Sequence, residues 1–203
     1  MEVVMLRTGE LIADRAVRLI AKKALVILVI AIGLPGSLML MASAANAQEP
    51  RDARTAASMT ALKEKTAKLG APKIEGTEAV GNKLVPVLYF GSTKMNDNFT
   101  LVDEVAKEGG PGMAVTLFVK AGLPLEQHAP IEEYIRVATS VQLPDGRRAV
   151  GTVLGSPALD SIKAGYPYFG EVEVLGTAYI TRYEPIKDAS GETIGAYFVG
   201  YKK

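Results

Sequence analysis

The chain has 203 residues, enough for one full domain or two small ones, with no Cys, no Trp and a single His. That composition excludes a disulfide scaffold, an iron–sulfur cluster, a thiolate nucleophile and a Cys- or His-rich metal centre, so no metal or other cofactor is expected. With 23 basic against 22 acidic side chains the net charge is +1, which supplies no basic surface for nucleic acid.

The first recognisable segment is an export signal. Residues 24–42 (ALVILVIAIGLPGSLMLMA) form an uncharged apolar run, preceded by Arg15, Arg18, Lys22 and Lys23 and followed by Ala45-Asn46-Ala47. Basic flank, apolar core and small-x-small site make the pattern of a secretory signal peptide. Cleavage after residue 47 would leave residues 48–203 as one near-neutral domain in a bacterial periplasm. The alternative is an uncleaved inner-membrane anchor, since such a run is long enough to cross the hydrocarbon core as a helix. Pro35-Gly36, midway along the run, speaks against it.

Residues 50–70 (PRDARTAASMTALKEKTAKLG) then read as an amphipathic helix, with Ala56, Met59, Leu62 and Leu69 near one face and Gly70 as its stop. Beyond it the composition turns to short β-rich runs at 85–91, 113–121, 134–143, 149–155, 171–186 and 193–201, punctuated by Gly, Pro, Asn and Asp. Two short helical pieces fall near 101–107 and 157–164. Turns are expected at Leu143-Pro144-Asp145-Gly146 and at Lys187 to Gly191. A leading helix followed by a mainly antiparallel sheet is an α+β domain.

Alternation sets the expected faces. Ile135, Val137, Val141 and Leu143 share one side of their strand, with Thr139 among them. Tyr134, Arg136, Ala138, Ser140 and Gln142 take the other. On the later strand Thr177, Tyr179, Thr181 and Tyr183 share a face opposite Gly176, Ala178, Ile180 and Arg182.

The stretch YIRVATSVQLPDGRRAVGTVL (134–154), the helix PALDSIKAG (157–165), then YPYFGEVEVLGTAYITRYEPIKD (166–188) and SGETIGAYFVG (190–200) together resemble the extracytoplasmic Cache sensor domains, of the single-Cache type found in chemoreceptors and sensor kinases. The order of these pieces carries the resemblance. It implies a PAS-like fold: a central antiparallel sheet, a long N-terminal helix on one face and a small-molecule pocket on the other. It also implies ligand binding in signalling or chemotaxis. Such receptors continue into a transmembrane helix and an output module, whereas this sequence ends at Tyr201-Lys202-Lys203. A stand-alone periplasmic protein is therefore expected. Its partners would be a small-molecule ligand, such as a short organic acid, and a separate membrane chemoreceptor or sensor kinase.

Arg136 is the leading candidate for the site, because its planar fork suits a carboxylate; the competing role is a salt bridge to Glu132, Glu133 or a Glu on a neighbouring strand. Tyr179, Thr181 and Tyr183 form a row suited to lining a pocket. Tyr166 and Tyr168 could fold over it as a lid, and Thr139 could supply a hydroxyl. Arg147 and Arg148 flank a hairpin turn and are expected in solvent. His128 lies in a polar loop with no nucleophile motif beside it. Gly109-Gly110-Pro111-Gly112 lacks the Lys and Ser/Thr of a phosphate loop. No acid–base pair or nucleophile is legible, so recognition is expected, and an enzyme only as a minor alternative.

Overall fold

In the computed structural model, which describes residues 42–123 and 131–203, the leading helix α1 runs from Ala42 to Leu69. It begins well before Pro50, where the sequence pattern puts its start. Over residues 53–69 of this helix the buried residues are Thr55, Ser58, Met59, Leu62 and Thr66, one stripe at helical spacing. Three of the five are hydroxylic, which is why an apolar-only pattern reads this stripe poorly. Leu69, expected on the inner face, is 38% exposed.

Strands β1 (Pro72–Val80), β2 (Lys83–Phe90) and β3 (Thr93–Lys94) form a small antiparallel sheet. Strand β1 is not visible in the sequence pattern because it buries only Val80 and shifts register between Ile74 and Thr77. Helix α2 (Thr100–Gly109) leads through the Gly110–Gly112 turn into the main sheet. That sheet contains β4 (Met113–Leu123), β5 (Ile131–Thr139), β6 (Tyr168–Val174), β7 (Thr177–Lys187) and β8 (Thr193–Lys202), in the order β5-β4-β8-β7-β6, with every neighbouring pair antiparallel. The short helix α3 (Ala158–Lys163) precedes β6. The two expected hairpin turns are present. Gly146 N–H donates to Leu143 O at 2.9 Å and Gly191 N–H to Asp188 O at 3.0 Å.

Two runs differ from the sequence pattern. The expected strand over 171–186 is a hairpin, turned at Leu175-Gly176, where both residues have positive φ (50° and 81°). That backbone suits a two-residue type I′ turn, and Leu in place of the usual Asn or Asp hides it. The expected strand over 149–155 is not a regular strand. It lies along β5 through Arg136 N–H to Thr152 O, Gly151 N–H to Arg136 O and Leu154 N–H to Tyr134 O, each 2.9 Å.

The main sheet separates two cores. On one face Val115, Leu117, Val119, Ile135, Val137 and Val199 meet Met59 and Leu62 of α1, Val102 and Val105 of α2, and Val85, Leu88 and Phe90 of β2. On the other face Phe118, Tyr134, Tyr183 and Phe198 pack beneath Val141, Ala149, Leu154, Ala158 and Ile162 of the segment between β5 and β6.

Strand β5 corrects the expected alternation. Leu117 pairs with Ala138 and Phe118 with Arg136, so Val137 is an extra residue in a bulge. The bulge reverses the phase beyond it. Ala138 therefore joins the α1-side core, and Thr139 sits opposite Thr116 with their hydroxyls 2.6 Å apart. Val141 and Leu143, past the end of the strand, pack in the second core and not with Ile135 and Val137.

Candidate functional site

Among the described residues, one charged side chain is buried against the second core. Arg136 pairs in register with Phe118 on β4, and its guanidinium carbon lies 5.0 Å from the centre of that ring, in cation–π contact. The residue is 4% exposed. The carboxylates next to it in sequence are engaged elsewhere. Glu132 pairs with Lys120 at 3.0 Å and Glu133 with Lys83. Among the described residues Arg136 has no carboxylate partner. Its Nη1 donates to Thr152 Oγ1, and its Nε is buried without a hydrogen-bond partner. Burial pulls the guanidinium down to about 10, an effect opposed by Tyr183 and Tyr179.

Tyr183 and Tyr179 interact electrostatically with this charge, and Tyr168 packs against Tyr183. Tyr183 is buried, with its ring 4.8 Å from Phe198, 6.4 Å from Phe118 and 6.2 Å from Tyr168. Its register partners are Tyr168 on β6 and Phe198 on β8. Tyr179 is half-buried against the same core, near the β6–β7 turn. Burial raises both the Tyr179 and the Tyr183 hydroxyls above the usual phenol range, so both stay neutral donors at physiological pH. A single cation set among neutral hydroxyls and rings is chemically matched to an anion with a small apolar body.

The other candidates separate from this group. Thr181 is buried on the same face, but its hydroxyl donates to Gly170 O at 2.8 Å. Thr139 is committed to Thr116 and accepts from Val141 N–H at 3.1 Å. Tyr166 is 68% exposed, whereas Tyr168 reaches the aromatic cluster. His128 lies outside the described residues. Arg147 is exposed and ion-paired to Asp145 at 2.7 Å, as a turn residue should be.

Arg148 is not solvated as expected. It is half-buried and grips Asp103 of α2 with two bonds of 2.6 and 2.8 Å. It also donates to Thr139 O at 2.8 Å and lies 4.8 Å from the centre of the Phe99 ring. The site residue missing from the sequence reading is Thr152. Nothing in GTVLG marks it, because its role arises only when the irregular segment pairs with β5.

A five-stranded antiparallel sheet, with a long helix on one face and a covering segment over a charged, aromatic face, is the architecture of a PAS-like sensor domain. Residues 38–203 match the model of the Cache 3/Cache 2 fusion domain, and the chain belongs to this family, whose domains are extracytoplasmic sensors. No curated protein and no solved structure matches the chain.

Proposed function

We propose that this domain recognises a short organic acid outside the cytoplasm, for signalling or chemotaxis, with Arg136 as the group that binds the carboxylate. One observation carries this reading: Arg136 is a buried cation with an unpartnered Nε and no carboxylate partner among the described residues. A buried charge without a counter-ion is costly, and an anionic ligand supplies what the protein leaves out. Tyr179, Tyr183 and Tyr168 line the same face, and binding alone, without catalysis, is the function they serve. The signal passes to a membrane chemoreceptor or sensor kinase.

The test is a thermal-shift screen against organic acids, amino acids and amines, since a ligand of the native state raises the melting temperature. Calorimetric titration of the hit follows. Arg136→Ala should cost about 1.5–3 kcal/mol, or about 10- to 150-fold in affinity. Unchanged affinity in a folded variant overturns the reading.

We further propose that residues 1–47 are an export leader and that the mature protein starts at Gln48 in the periplasm. An anchored reading has one observation in its favour. Helix α1 runs unbroken from Ala42 through Ala45-Asn46-Ala47, while a peptidase needs its substrate extended. The first residue of the purified protein separates the two: Gln48 means cleavage.

A further inference from the structure

We propose that Thr152, on the segment covering the second core, is a positioning residue that locks the Arg136 guanidinium for an incoming anion; this rests on the reading of Arg136 given above. Thr152 Oγ1 lies 2.8 Å from Ala149 O. A carbonyl can only accept, so the single hydroxyl proton points to Ala149 and the oxygen's lone pairs are left for Arg136 Nη1. The direction of this chain is therefore fixed: Arg136 donates to Thr152, which donates to Ala149. The backbone reinforces it, because Arg136 N–H donates to Thr152 O and Gly151 N–H to Arg136 O. With Nη1 held and the guanidinium carbon 5.0 Å from the centre of the Phe118 ring, the unpartnered Nε is a donor whose direction is set before any ligand arrives. Pre-set donors bind more tightly than free ones, because less ordering remains to be done on binding.

The lock can be read without a ligand. Restricted rotation of a guanidinium gives separate, slowly exchanging Nη proton signals in nitrogen-15 spectra of arginine side chains. Wild type and Thr152→Ser should show them for Arg136, assigned by their loss in Arg136→Lys. Thr152→Val, which keeps the shape and loses the hydroxyl, should average them while keeping the cooperative melt of the wild type. Sodium propionate then serves as the anion probe. It should shift the Arg136 Nε signal in wild type and bind about 3- to 10-fold more weakly to Thr152→Val, with recovery in Thr152→Ser. An Arg136 spectrum and a propionate affinity unchanged in Thr152→Val overturn the proposal. A lock that Thr152→Val abolishes, in a wild type whose Arg136 signal propionate leaves unmoved, overturns the anion-binding reading and with it any ligand role for Thr152.

Discussion

Arg136 and Phe118 face each other across the β4–β5 ladder, with the guanidinium carbon 5.0 Å from the ring centre. The ring and the Thr152 hydroxyl, with Tyr183 and Tyr179 nearby, are what the protein itself offers a buried positive charge. They do not offset its burial in full. Burial holds the guanidinium well below its ordinary range, at about 10, a differential of about 3 kcal/mol. A base whose pKa is lowered on folding contributes stability only above its unfolded value, and that contribution is lost as the pH falls through its folded value. At neutral pH the burial cost therefore stands in full. Arg136→Met keeps the volume and removes the charge. Allowing about 1–2 kcal/mol for the lost ring contact and hydrogen bond, it should raise stability by about 1–2 kcal/mol. In a domain of this size that is an increase of about 3–6 °C in melting temperature. The same variant should lose anion binding. A lower melting temperature would show that the ring and Thr152 more than offset the burial.

The same shift predicts how anion binding depends on pH. Burial holds the Arg136 guanidinium at about 10 and raises Tyr179 and Tyr183 above the usual phenol range, so carboxylate affinity should follow the Arg136 proton. Affinity for a carboxylate should be flat from about pH 6 to 9. It should then fall about tenfold per pH unit above 10, where the guanidinium loses its proton. Titrations at constant ionic strength check this, and an affinity that declines between pH 7 and 8 would point to a different group.

Arg148 ties the covering segment to the α1-side layer. Its fork holds both Asp103 oxygens, and its third bond satisfies the carbonyl of Thr139 at the end of β5. Arg148→Lys keeps the charge but loses the fork and should cost about 1 kcal/mol. Arg148→Ala also leaves the Thr139 carbonyl unpaired and should cost about 1–3 kcal/mol. Urea unfolding of both variants in wild-type and Asp103→Asn backgrounds separates the carboxylate bond from the carbonyl bond. If Arg148→Ala costs nothing further once Asp103 is Asn, the carbonyl bond contributes nothing.

How much of this was legible in the sequence follows the local physics. The Arg136 and Tyr179–Tyr183 faces were readable because strict alternation holds up to Arg136 on β5 and along β7. The family assignment was readable because the order of turns, strands and the short helix survives between residues 134 and 200. What failed depended on long-range pairing. The bulge at Val137 arises in pairing with β4 and leaves no mark in the sequence of β5, so alternation alone assigns Ala138 and Thr139 to the wrong faces. Arg148 looks like any arginine beside a turn until α2 brings Asp103 to it. Strand β1 alternates too weakly to be seen, and Thr152 has no function until the chain doubles back on β5.

The last prediction concerns the junction that seats α1 on the domain. Helix α1 ends where Leu69 and Gly70 press against the β2–β3 turn, and Gly91 N–H donates to Ala71 O at 2.9 Å. Gly91 has φ +59°, and a Cβ there would run into the carbonyl oxygen of Leu69 and lie 3.4 Å from Gly70 Cα. Backbone on both sides leaves no flexible side chain to yield. Gly91→Ala therefore adds a clash to the ordinary cost of alanine in the left-handed region. Gly146, with φ +81°, has nothing within 4 Å of its missing Cβ, so Gly146→Ala carries the conformational cost alone. That cost is about 1 kcal/mol. Gly91→Ala should lose at least about 2–3 kcal/mol. The displaced helix end should also loosen the Thr66–Tyr197 hydroxyl pair, now at 3.1 Å, which fastens the last turns of α1 to β8. Urea midpoints at constant m-value measure the two losses. Hydrogen exchange over residues 62–69 locates the damage, which should appear in Gly91→Ala and not in Gly146→Ala. Equal losses in the two variants would mean that the junction absorbs a methyl group by a shift of α1, and that the close approach at Gly91 is not what seats the helix.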